Sequence, residues 1–347
     1  MLLRRAIFKL APLLAVLFCS VALSAADPTN CDVCGNDLPR QFWKYEGNAC
    51  CSQACVDELR PSCKKCGKAI DGKYMESEKG IYCSQKCFNS TLPRCEVCRG
   101  HIQSGVSIGK HNYCDQCMRN SPTCFSCGLP AAHPTELSDK RVVCNTCRRW
   151  SVSTTDQALK HYDRARRQLE AWTRLQIQTV PELKLVNRKE MEKLSGSIRK
   201  TDEPITIRGL YSRQTTFVKR GLFGTWKTSP DHTVETIYIV NHLHDEIFRV
   251  AAVHELMHDL VHEHFPKLEH APLWVHEGIS QVAAAEYCRR RNYIDALDII
   301  ESSQDPDYGD GYRYFDEVVG FEGWHALKRW IDEVDVAALP KKAPVSD

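Results

Sequence analysis

The sequence predicts an α+β domain carried behind four small metal-binding modules. Three observations predict it. Cysteines recur in a fixed pattern from Cys31 to Cys147, strand-like runs are followed by helix-like ones after residue 180, and His254-Glu255-Leu256-Met257-His258 falls within a helical run. With 347 residues the chain has room for more than one folded unit.

The elements follow in chain order. Arg4, Arg5 and Lys9 precede an apolar run from Leu10 to Ala25, and Ser24-Ala25-Ala26 offers small residues for cleavage. Residues 1–26 therefore read as a signal peptide. Arg4-Arg5-Ala6-Ile7-Phe8-Lys9 resembles a twin-arginine export signal, which predicts an exported protein, periplasmic or secreted. The run is short for a membrane span, so contact with a membrane would require the segment to stay uncleaved.

Residues 27–150 hold seventeen of the nineteen cysteines, and sixteen of these follow a repeat. They form four pairs of pairs: Cys31, Cys34, Cys51 and Cys55; Cys63, Cys66, Cys83 and Cys87; Cys95, Cys98, Cys114 and Cys117; Cys124, Cys127, Cys144 and Cys147. The first two units share Cys-Ser-Gln-x-Cys. A knuckle followed by a second close pair presents four thiolates tetrahedrally to zinc, which predicts four structural ions in LIM-like or treble-clef modules. The competing reading is a disulfide framework, which export favours; the regular C-x-x-C repeat argues against it. Metal binding, on the order of 10–16 kcal/mol per structural zinc, would supply most of the stability of units with so little core. Loading in the cytoplasm before export in the folded state would reconcile thiolates with an oxidising destination. Cys19, Cys50 and Cys288 are left over.

Zinc modules raise the question of nucleic acid, and charge excludes it. The whole chain carries a formal +2. Cys31 to Trp150 holds 17 Lys/Arg against 12 Asp/Glu, and four tetrathiolate sites would reverse that balance. No basic footprint for phosphate remains. Docking of a protein partner is the expected role of the modules, with a purely structural arm as the alternative.

Residues 151–347 read as a second domain with an N-terminal linker helix over Ser153–Ile177. Strand-like runs follow at Leu183–Val186, Ile205–Tyr211, Thr215–Val218 and Val234–Val240, with a loop over Gly221–Pro230. Val234–Val240 could border a cleft and accept an extended substrate as a further strand, or lie inside the sheet with no free edge. Glu246–Phe265 has no Pro or Gly before Pro266 and predicts a helix; Pro272-Leu273 opens another, Trp274–Arg290.

Two His at i and i+4 on a helix lie about 40° apart around the axis and about 6 Å along it, so His254 and His258 can reach one ion. Glu255 sits one step round the same helix and can serve as a base without ligating the metal. Glu277, in Trp274-Val275-His276-Glu277-Gly278, supplies the third ligand of a catalytic zinc, whose fourth position stays open. His264 has the spacing of a rival ligand, but that arrangement needs a Gly where Val261 stands. His262, His264 and His270 read as solvated or loop histidines, and His276 points elsewhere on its helix. Asp259 or another carboxylate would orient the His rings.

Towards the C-terminus, Asp307-Tyr308-Gly309-Asp310-Gly311-Tyr312-Arg313 suggests a tight turn, followed by a largely helical stretch over Tyr314–Val334. A Tyr hydroxyl or an Arg here could stabilise a developing oxyanion: Tyr308 first, then Tyr312 and Arg313, with ordinary packing residues as the alternative.

These motifs carry a resemblance. The His254/His258 pair with Glu277 has gluzincin spacing. Ala252-Val253-His254-Glu255-Leu256-Met257-His258, Glu277-Gly278-Ile279-Ser280-Gln281-Val282 and Tyr308-Gly309-Asp310-Gly311-Tyr312-Arg313 together resemble the peptidase domain of plant LIM-domain, ubiquitin-activated growth-control peptidases, over roughly residues 95–335. The resemblance implies a zincin-like catalytic domain, one catalytic zinc beside about four structural ones, and a protein or peptide substrate. The chain departs from the family in two ways: 6 or 7 residues separate successive units where LIM fingers have two, and there is no ubiquitin-interacting helix. A Gly-Ala-Met-Glu-Asn exopeptidase motif is also missing. The expectation is an exported zinc endopeptidase with Glu255 as general base. The alternative is a non-enzymatic zinc-repeat scaffold, against which an intact Glu255 argues.

Overall fold

The computed structural model describes residues 7–9, 28–196, 208–220 and 227–344; all but three residues of the expected leader, 1–26, lie outside them. It is a mixed α/β structure with four four-cysteine clusters. The chain divides into two compact units, 1–107 with 112–118, and 108–111 with 119–347. The division therefore falls before the fourth cysteine cluster rather than at residue 150.

The four repeats share one local plan. In each, the first C-x-x-C pair closes a turn whose N–H returns to the carbonyl of the first Cys: Gly35 to Cys31, Gly67 to Cys63, Arg99 to Cys95 and Gly128 to Cys124, at 2.8–2.9 Å. The turning residue has φ between 61° and 76° in all four. That left-handed backbone is why Gly fills three of these positions. A short antiparallel ribbon follows, for example Tyr74–Ser77 with Gly80–Tyr82, and then a short helix that carries the last Cys. Ser52 and Ser84 cap two of those helices by accepting from Cys55 N and Cys87 N. The repeated Cys-Ser-Gln-x-Cys string is thus a helix cap and a metal knuckle at once.

In the second unit, α1 (Thr155–Thr173) begins at a capping box between Thr154 and Gln157. A three-stranded sheet comes next, made of β1 (Glu182–Val186), β2 (Gly209–Arg220) and β3 (Lys227–Val240). The order is β1-β3-β2, with β1 parallel and β2 antiparallel to β3. Helix α2 (Arg188–Gly196) lies between β1 and β2 in sequence. Val234–Val240 thus belongs to the central strand, with Thr236–Val240 paired on both sides, so the edges belong to β1 and β2. The expected runs 205–211 and 215–218 belong to one strand, β2, as far as they are described. Of the expected 221–230 loop, residues 221–226 lie outside the described residues and 227–230 are already in β3.

The helical half starts with α3 (Asp245–His264). His244 caps it by accepting from Glu246 N, and Asp245 and Glu246 place negative charge in the first turn. Pro266 follows its end at Phe265. Helix α4 (Leu273–Arg291) ends on Asn292 in the left-handed region, behind three arginines that suit the C-terminal dipole. Then come α5 (Ile294–Glu301), α6 (Gly309–Val319) and α7 (Trp324–Glu333). The segment read as a tight turn around Asp310 is the first turn of α6, and the stretch 314–334 breaks at Gly320 and Gly323, both at positive φ.

One apolar core holds α1, the sheet and the helices together. Phe248, Leu256, Met257, Trp274, Ile279 and Phe315 are all fully buried in it, each contributing about 1.5–3 kcal/mol. Glycines set how closely α4 and α6 approach. A Cβ on Gly278 would lie 2.6 Å from Gly311 C and O, and one on Gly311 would lie 2.5 Å from Trp274 O. These glycines serve helix contact, which is why Gly can stand inside two helices despite its low propensity. The contact fixes the helix segment that carries Glu277. Among the described residues no helix is long and apolar enough to cross a membrane.

Candidate metal centre

Glu277 lies in the second turn of α4 and the two histidines in the middle of α3. Their donor atoms converge. His254 Nε2 is 3.1 Å from Glu277 Oε2, His258 Nε2 is 3.4 Å from the same oxygen, and the two ring nitrogens are 3.2 Å apart. Tetrahedral zinc with ligands at 2.0–2.1 Å separates its donors by about 3.3–3.4 Å. The triangle therefore fits one ion with one coordination position free. All three residues are buried or nearly so. His254, His258 and Glu277 form one cluster able to hold a metal, as the sequence spacing predicts.

The surroundings bear on charge. Against its own burial, His258 and the hydrogen bonds from both imidazoles hold Glu277 far below the usual carboxylate range. Glu255 behaves oppositely. Burial pushes its carboxyl up to about 7, Glu277 adds to the rise, and His258 and the Tyr211 N–H pull against it. A carboxyl near 7 is poised both to accept and to give a proton.

Strand β2 covers this carboxylate. A Cβ on Gly209 would lie 2.5 Å from Glu255 Oε1 and 2.8 Å from its Cγ, so only glycine lets the strand pass this close. The sequence offered a signal for it, since an isolated Gly in a strand-like run marks close backbone approach. Two tyrosines flank the ligands: Tyr308 stacks on His254 with centroids 5.7 Å apart, and Tyr211 on His258 at 6.5 Å. A cavity of about 390 Å³ opens beside them, lined among others by Gly209, His254, Glu255, Gln281 and Tyr308.

Of the three oxyanion candidates only Tyr308 lines this cavity. Tyr312 is buried elsewhere: its hydroxyl accepts from Arg289 at 2.7 Å and donates to Glu301. Arg313 donates to Ser303 O and pairs with Asp310. Tyr312 stands about 6 Å further along the helix axis than Tyr308, and its hydroxyl is taken up by Arg289 and Glu301. Asp259 bonds neither imidazole. It is fully buried, and burial, helped by Glu235 and Glu263 and opposed by the Tyr211 hydroxyl, raises it to about 8. Helix α3 runs through to His264, whose ring meets Gln176 O at 2.8 Å. His262 is partly buried on the same helix and His270 is exposed. The ring of His276 is deeply enough buried to lower its pKa.

The sixteen repeat cysteines form four clusters, each with all four sulfurs within 4.8 Å of one another. Measured contacts run from 3.5 Å for Cys34–Cys51 to 3.9 Å for Cys98–Cys114; a tetrathiolate zinc with 2.3 Å bonds places sulfurs about 3.8 Å apart. All described cysteines are free thiols, so the disulfide alternative is not realised among them. The backbone favours thiolate at the first Cys of these units, while the neighbouring thiols, with burial, push Cys51 and Cys83 up to about 12, and burial, with the neighbouring thiols, does the same to Cys117. The Cys34 N–H leads in lowering Cys31 to about 6, and backbone N–H groups bring Cys63 and Cys95 to about 6 against their burial. Cys50 and Cys288 are buried and stand outside the clusters.

Comparison of the chain with protein-family models and with curated proteins returns no match.

Proposed function

We propose that the unit carrying α3 and α4 is a zincin-like, gluzincin-type zinc peptidase that cleaves internal peptide bonds. The observation that carries this is the three-donor triangle of His254, His258 and Glu277 with the buried carboxyl of Glu255 beside it and a cavity lined by His254 and Glu255. A closed structural site needs neither a free position nor a neighbouring base. Zinc bound there would polarise a peptide carbonyl and acidify a water to a pKa near about 7.

The chain's own groups do the rest. Glu255 takes the proton of the attacking water and hands it to the leaving amine, a role suited to its pKa of about 7. The free edge of β2 runs past Glu255 and can hold an extended peptide by main-chain hydrogen bonds. Tyr308, stacked on His254 at the cavity wall, would donate to the oxyanion. The cysteine units would act as an arm that docks protein partners or substrates, on an exported protein.

Glu255→Gln tests the reading, because it removes the base and keeps the shape. Metal analysis of the variant should find about five zinc per chain, as in the parent, one for each four-cysteine cluster and one for His254, His258 and Glu277. Cleavage of peptides should fall by at least about 10³-fold, the upper range for loss of a general base. Unchanged cleavage would remove Glu255 from the mechanism, and one zinc or none would remove the metal centres.

A further inference from the structure

Arg208 lines the cavity beside the metal centre, next in sequence to the glycine that covers Glu255. Its Nε is buried and has no hydrogen-bond partner. Its Nη2 stands 3.9 Å from the position of a Cβ on Gly128, the turning residue of the fourth cysteine cluster. The ionisable groups that act on it are Cys127, Cys124 and Cys147; no carboxylate is among them. The guanidinium thus lies between a thiolate cluster and a cavity. Asp305, which also lines the cavity, is turned to other work: its Oδ1 accepts the N–H groups of Asp307 and Tyr308, both at 2.9 Å.

An arginine has five N–H donors in a fixed fork. Leaving part of that fork desolvated and unpaired is costly. The thiolates can satisfy one edge. The rest of the cavity is largely apolar, with Ile247, Val250, Ile299 and Ile300 on its walls. It offers an apolar space for a side chain or stem and one cation for an anionic end.

We infer that Arg208 is the specificity-determining residue of this cleft and receives a carboxylate of the bound peptide, either its C-terminus or an Asp/Glu side chain. The inference rests on the peptidase reading for its choice of a peptide as ligand. The turn of the fourth cysteine cluster, in the same compact unit, packs against the Arg208 guanidinium at Gly128. That would make this cluster part of the substrate site.

Binding tests this without turnover. Peptide pairs that differ only in Glu against Gln, or in a free C-terminus against an amide, are titrated calorimetrically into full-length Glu255→Gln protein. One pair should show at least about tenfold tighter binding of the carboxylate form, the scale of a desolvated charge pair, and the pair that does identifies the source. Arg208→Gln in the same background should bring that ratio to about one, with Arg208→Lys between, because a lysine offers charge without the fork. Zinc content should stay at that of the parent. A parent protein with no carboxylate preference overturns the inference. So does an Arg208→Gln variant that keeps the preference, or one that loses a zinc and weakens both members of a pair equally. If carboxylate binding holds while protein with Glu255 intact cleaves nothing, the peptidase reading fails and this assignment stands.

Discussion

The cysteine clusters and the His254/His258/Glu277 cluster are both metal cages, and they differ in closure. Each cysteine cluster offers four donors from a knuckle, a ribbon and a short helix within about 25 residues of chain, enough to close a tetrahedron. The histidine cluster offers three donors from two long helices and leaves one side to a cavity. The first kind of site is built by local chain geometry and has a core of a few residues, such as Ile70, Met75, Tyr82 and Phe88. The second is positioned by a large shared core and by glycines that set helix spacing to tenths of an ångström. A metal can make the fold in one case; the fold must precede the metal in the other.

Four substitutions sharpen or break that contrast. The largest effect is expected from comparing Cys127→Ser with Cys66→Ser. Both remove one thiolate and, with it, much of a structural site's binding free energy, on the order of 10 kcal/mol. Arg141 ties the fourth module to Asn241 O at 2.7 Å, and the Ser126 hydroxyl accepts His244 N just before α3. Cys127→Ser should therefore lower the melting temperature of the whole second unit by about 10 °C or more. Cys66→Ser should unfold its own module and leave that transition where it was. Calorimetry decides, and equal effects would erase the distinction drawn here between the fourth cluster and the others.

Gly311→Ala comes next. Its methyl would lie 2.5 Å from Trp274 O, so α4 and α6 must part, at a cost of about 1–3 kcal/mol. Denaturant unfolding reads the loss. A neutral result would mean that helix spacing does not set the position of Glu277. The smallest effect, and the most local, is expected from Gly209→Ala. The methyl displaces Glu255, a flexible side chain, so peptide cleavage should drop about tenfold while zinc content and stability change little. Full activity would show that β2 does not constrain the base.

Much of this was legible in the sequence because it is local. The C-x-x-C spacing, the Cys-Ser-Gln-x-Cys caps and the i, i+4 histidines each follow from a few residues and a known turn geometry. Glu277 was legible because one intervening loop brings α4 back to α3. What escaped depends on contacts far apart in the chain. Arg208 gains its meaning from Gly128, eighty residues earlier, and Gly209 from Glu255. Tyr312 reads as a site residue until α6 turns it towards Arg289. The edges of the sheet went to β1 and β2 rather than to Val234–Val240 because strand order is a property of the tertiary fold.

Among the described residues, strand β3 carries two neighbours along Thr236–Val240 but only one along Lys227–Glu235, before β1 begins. The outer part of the sheet is therefore a two-stranded ribbon, an arrangement marginal in isolation. Its amides lean on a single ladder, and opening can begin at that end and travel inward as far as the third strand. Protection against solvent exchange should then grade along one continuous strand, steepest where β1 joins. Cohesion in this sheet increases towards Gly209, so its stiffest stretch is the one that lies against Glu255.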